Sequence, residues 1–250
     1  MNTFTTLKKS LIRTGSLAGK ELYSALYSPV TYGIGVFFLL FVSIWFFFLQ
    51  RFFANNLASL RSFFGTFPLA FIFVIPTLTM KSWAEERKTG TVELLLTMPF
   101  SEWELVGAKF LAALAQAALF ITLTAAVPLS LSLLGAFEGG VIFTEYAGAL
   151  LLAACAVSLG ILLSSLAKNQ AGAFLGSAVV LMAVMLINQV PLLVTLPDAI
   201  VNVINYLSLS FHFESFSRGL LDSRDLAFFI ISTFLFLYLN TQALVYRKWK

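Results

Sequence analysis

Charge is what this sequence has least of. Only 11% of its 250 residues are charged, 59% are hydrophobic, and the mean hydropathy is +0.91, whereas about a quarter of a soluble domain is charged. A soluble fold of this length needs a polar shell that 27 Phe and so few charges cannot supply, so the chain is built for lipid. Cysteine and histidine are nearly absent as well. Cys155 and His212 each stand alone, which excludes a disulfide framework and a Cys/His metal site within one chain. Cys155, in Ala153-Ala154-Cys155-Ala156, reads as a small packing residue, and a single His among aromatics reads as a hydrogen-bonded packing residue. The net charge of +4 has no Lys/Arg cluster on a soluble scaffold behind it, so nucleic acid is not an expected partner.

Segments long enough to cross about 30 Å of hydrocarbon run from Val30 to Leu49, Phe63 to Met80, Ala108 to Leu134, Val141 to Leu166, Ala171 to Val194 and Leu226 to Tyr246. The expected fold is therefore an all-α membrane protein of six transmembrane helices, with both ends on one side. Residues 1–29 form an N-terminal segment, 30–246 the membrane domain and 247–250 a tail. The connections Gly135 to Gly140 and Ala167 to Gln170 are short enough to join antiparallel neighbours. Basic residues orient the bundle. One side collects Lys8, Lys9, Arg13, Lys20, Lys81, Arg87, Lys88, Lys109, Lys168, Arg247, Lys248 and Lys250, the other only Arg51, Arg61, Arg218 and Arg224, so both termini are expected in the cytoplasm. Met1 to Tyr27 has no uninterrupted apolar core, so no cleavable signal is expected.

Two segments are neither spans nor simple loops. Before the first span, Ala18, Leu22, Ala25 and Leu26 share a helical face that Lys20, Glu21 and Ser24 avoid, the pattern of an amphipathic helix lying on a membrane; Tyr23 belongs to the same helix. Between the fifth and sixth spans, residues 195–225 carry Ile200, Val203, Ile204 and Leu207 at i, i+3, i+4 and i+7, which suits a re-entrant segment or an external loop helix.

The spans offer little to an ion-coupled carrier, which needs buried groups that bind and release the ion: Glu145 is near one end of the fourth span, and Asn188, Gln189 and Asn240 do not titrate. No phosphate loop is present either, because Gly15-Ser-Leu-Ala-Gly19-Lys20-Glu21 has the wrong spacing and places Glu where Ser or Thr would meet magnesium. Neither an intramembrane Asp pair nor a His-rich cluster suggests an enzyme. ATP, if it drives this protein, is hydrolysed by another subunit.

The densest charge lies in loop 81–107. Gly90 permits a turn, Thr91 can cap a short helix bearing Val92, Leu95 and Leu96, and Pro99 stops its simple continuation. Ser101-Glu102-Trp103-Glu104 then forms a capping box leading into the third span. From these residues alone, the apolar short helix either docks in a partner's groove or lies on headgroups and its own bundle.

The run Glu85-Glu86-Arg87-Lys88-Thr89-Gly90-Thr91-Val92-Glu93-Leu94-Leu95-Leu96-Thr97-Met98-Pro99, with Ser101, Leu105, Gly107 and Lys109 after it, resembles the first cytoplasmic loop of ABC-2 type transporter permeases. The stretch from Ser210 to Asp225 further resembles the gliding-motility-associated (GldF-like) branch. The resemblance implies an exporter-type half-transporter in the cytoplasmic (inner) membrane of a prokaryote. Its expected partners are an ABC ATPase in two copies, which binds the ATP and Mg, a second permease half as homodimer or related subunit, an auxiliary subunit with an extracytoplasmic domain, and membrane lipid. The chain itself is not expected to be an enzyme or to bind a cofactor. The resemblance makes Thr91 to Met98 the coupling helix, with Glu85, Glu86, Arg87, Gly90, Glu93, Leu94, Leu95, Leu96 and Pro99 at the ATPase contact. Lys20, Leu22, Tyr23 and Leu26 would lie in the interfacial helix, and His212, Phe213, Arg218 and Asp222 would face the auxiliary subunit. Gly172 and Gly176 form a close-packing motif, either between halves or within one half. A non-transporting scaffold or assembly factor is the competing reading, and an ion-coupled carrier the weaker one.

Overall fold

The computed structural model describes residues 3–55, 59–91, 100–133, 137–195 and 197–248, and among these every regular element is helical. Six helical stretches are long and apolar enough to cross a membrane: Pro29–Leu49, Arg61–Lys88, Glu102–Leu131, Gly139–Leu166, Gln170–Gln189 and Ser223–Tyr246. The six-span expectation holds. Local chemistry accounts for where they start. Ser28 is extended and Pro29 opens the first span, where its missing N–H costs nothing. Asn169 caps the fifth span by accepting from the Gly172 N–H at 2.7 Å.

The fourth span is the axis of the bundle, packing against the second, third, fifth and sixth. Its buried face is small, including Gly148, Ala149, Ala153, Cys155, Ala156, Ser158 and Gly160, because in lipid helices gain by close approach rather than by expelling water. A Cβ at Gly148 would lie 2.5 Å from Phe216 Cβ, and one at Gly160 would collide with Thr79. The first and second spans are joined by Phe38, Phe46, Phe63, Phe67 and Phe71, with ring centroids 5.3 Å apart for Phe46 and Phe63 and 5.9 Å for Phe38 and Phe71. Each such pair contributes about 0.5–1.5 kcal/mol beyond burial.

The N-terminal helix, Thr3–Leu26, packs along the start of the third-span helix, with Gly107 facing Thr14. Ala18 is buried there and Leu22, Ala25 and Leu26 are half-buried, so the apolar face expected for lipid turns at least partly to protein, while Tyr23 and Lys20 are exposed. The segment between the fifth and sixth spans forms two helices. Asp198–Leu207 buries nothing and leaves Ile200, Val203 and Leu207 exposed. Leu209–Ser217, capped by Ser208, packs on the fourth span, with Phe216 against Gly148, and buries Leu209, His212 and Phe213 as well.

Candidate functional site

Among the described residues, a connected polar region lies at the ends that the basic residues assign to the cytoplasm, where the second span continues as the helix Lys81–Lys88. Its first N–H groups have no partner within their own helix. Ser164, near the end of the fourth span, meets this need: its Oγ accepts from the Trp83 and Ala84 N–H groups at 3.2 and 3.4 Å and donates to the Met80 carbonyl at 3.2 Å. Arg87 then donates its guanidinium fork to the carbonyls of Ser165 and Ala167. These are the closing carbonyls of the fourth-span helix, the negative end of its dipole. The second and fourth spans are thereby tied at one end. Ser164→Ala should lower stability by about 1–2 kcal/mol, read as the thermal midpoint in detergent, because two backbone donors lose their acceptor.

A second knot ties the same helix to the third span and the N-terminal helix. Lys109 is buried, with its Nζ 2.6 Å from Glu86 Oε1, 3.4 Å from Glu21 Oε1 and 4.8 Å from the centre of the Trp83 ring. A cation this far into an apolar helix persists only with such partners. The capping box is present as expected, with Ser101 N–H donating to Glu104 Oε2 at 2.9 Å and Glu104 N–H to Ser101 Oγ at 3.3 Å.

The turn after Lys88 uses Gly90 at φ +72, a conformation glycine adopts without the Cβ penalty. Thr89 and Thr91 hydroxyls donate to the Glu85 and Glu86 carbonyls at 3.1 and 3.2 Å. Of the charged residues expected at a partner contact, Glu85 is exposed, whereas Glu86 and Arg87 engage their own chain. Glu93, Leu94, Leu95, Leu96, Met98 and Pro99 lie outside the described residues. Trp83, Glu21 and Ser164 carry no local motif that points to this cluster, although Lys109, a lone cation within an apolar helix, was a usable signal.

At the opposite end, His212 is buried, its Nδ1 2.6 Å from Asp225 Oδ1 and its Nε2 3.1 Å from the Tyr206 carbonyl, with the ring stacked at 3.8 Å on Phe228. Phe213 is buried too, so these two residues face the bundle, whereas Arg218 and Asp222 are exposed. Arg218 pairs with Glu214 at 2.7 Å, as Arg61 does at 2.9 Å. No group of three or more His, Cys, Asp or Glu among the described residues is arranged to hold a metal. Among the described residues Gly172 has only its own cap beside it and Gly176 has open space, so neither packs against another described helix. Glu145 is buried with neither carboxylate oxygen hydrogen-bonded among the described residues.

This arrangement has no catalytic constellation among its residues; it joins four elements at one end of a six-span bundle. No curated protein matches the chain significantly. The family described as ABC-2 family transporter protein matches residues 16–239, which takes in the first five spans, most of the sixth and both knots. On that match the chain belongs to the ABC-2 transporter family, as a multi-span membrane permease component.

Proposed function

We propose that this chain is the membrane half of an exporter-type ABC transporter whose ATP is hydrolysed on a separate subunit, and that the helix Lys81–Lys88 with the loop after it receives the motion. The supporting observation is the double tie of that helix, through Ser164 and Arg87 to the fourth span and through Glu86 to Lys109 on the third. A push on the loop is then delivered to the central helix and to its neighbour together, because packed, hydrogen-bonded elements carry coupling between distant sites. In this reading both termini are cytoplasmic, the membrane is the inner membrane of a prokaryote, and two ATPase copies act on two permease halves. Gly172 and Gly176, which pack against no other helix among the described residues, are available for the contact between halves. The exposed Arg218 and Asp222 are the residues open to an extracytoplasmic subunit of the gliding-motility type.

The test is purification with the ATPase bound. Leu95→Glu with Leu96→Glu should release that subunit or leave ATP hydrolysis without transport. Unchanged assembly with coupled transport removes the assignment. Arg87→Ala, inside the permease, should keep the complex intact while hydrolysis continues and transport falls.

A further inference from the structure

The cytoplasmic end of the first span stands away from the second. Two hollows meet there. One, of about 320 Å³, is polar and is lined by Glu85, Glu86, Lys81 and Lys109 together with hydroxyl side chains such as Ser24 and Ser28. The other, of about 350 Å³, is an apolar groove between the first and second spans, lined by Gly33 and by Phe37 and Phe73, both about half exposed. Val30, Ile34 and Thr77 line both, so the polar hollow runs directly into the groove. The shape is that of a head and a tail. The aromatic cluster holds the two spans together farther along, and at Gly33, where a side chain is missing, nothing lies within 4 Å to fill the space.

We propose that this is a binding site for one membrane phospholipid whose headgroup carries a primary amine, with the head in the polar hollow and an acyl chain in the groove. Charge complementarity selects the head. Lys109 is already committed to Glu86 Oε1 and Glu21, but Glu86 Oε2 has no hydrogen-bond partner among the described residues and Glu85 is exposed beside it. An ammonium group meets the exposed Glu85 carboxylate with the incompletely paired charge of Glu86 behind it, and Lys81, four residues before Glu85 on the same helix, meets the phosphate. A purely anionic head leaves the two carboxylates facing negative charge. The site belongs to the cytoplasmic leaflet in the orientation proposed above, and it does not depend on coupling to ATP.

The experiment uses the intact chain in phosphatidylcholine nanodiscs containing phosphatidylethanolamine with a diazirine on one acyl chain, followed by irradiation and peptide mapping. Labelling should concentrate on residues 30–37 and 73–77. Excess unlabelled phosphatidylethanolamine should displace it and excess phosphatidylglycerol should not. Gly33→Leu, which meets no neighbour at Cβ, should cut that labelling about tenfold while labels on the sixth span persist. Glu85→Gln should erase the preference over phosphatidylglycerol. Even labelling of all spans, equal competition by both lipids, or unaltered labelling of Gly33→Leu overturns the proposal. So does a disulfide-linked dimer of Gly33→Cys, which would put a second copy over the groove; Cys155 is buried and leaves the new thiol as the accessible one. Labelling that survives in a chain unable to bind an ATPase would separate this proposal from the transport reading.

Discussion

A Lys109→Met variant should lose about 3 kcal/mol of stability, the cost of breaking an ion pair and leaving its partner buried and uncompensated. Glu86 has a side chain only 19% exposed, and its other oxygen already lacks a hydrogen-bond partner among the described residues, so it cannot turn to water cheaply. Glu21 is 39% exposed and recovers most of its solvation, which is why the loss stays at the lower end of the range. The measurement is the thermal midpoint in a fixed detergent. Adding Glu86→Gln should restore much of the loss, since the uncompensated charge is then gone. If the single variant alone melts like the parent chain, the cluster contributes no stability. Function adds a second readout: with the tie to the third span cut, hydrolysis by a bound ATPase should continue while transport falls.

Gly148→Leu should be at least as damaging, by about 3 kcal/mol, the upper range for overpacking a filled core. The atom a side chain meets is Phe216 Cβ at 2.5 Å, which moves only with its backbone, and Phe216 itself is fully buried. The wedge pushes the helix Leu209–Ser217 off the fourth span and with it the stacked His212 and its bond to Asp225. Phe216→Ala in the same chain should recover part of the loss, because the two substitutions share one contact. Additive losses would place the damage elsewhere.

Much of this fold could be read in order along the chain. Hydropathy marked the spans, the Ser101-Glu104 box marked a helix start, and Gly90 marked the turn, because each depends on residues within a few positions of one another. The second span extends as helix past Met80 to Lys88, farther than its apolar run, since Ser164 supplies acceptors from outside the segment. The apolar face of the N-terminal helix was legible, but its neighbour was not: amphipathicity states that a face must be covered and is silent on whether lipid or a third-span helix covers it.

The candidate site divides in the same way. Glu86 and Arg87 stood out as charge in a loop that resembles a coupling region, and their sequence context pointed them toward a partner. In the folded chain Glu86 meets Lys109 and Arg87 meets the end of the fourth span, contacts separated by 23 and about 80 residues. By itself the sequence determined that the chain lives in lipid, that it crosses six times and where its helices begin, because composition and local hydrogen bonding settle those. Only the tertiary structure decided which charges face inward and that the fourth span is the axis. It also decided that a polar hollow opens into an apolar groove. Those outcomes depend on small residues such as Gly148 and Gly160 letting distant helices approach, and on which buried ion then lies within reach of which partner.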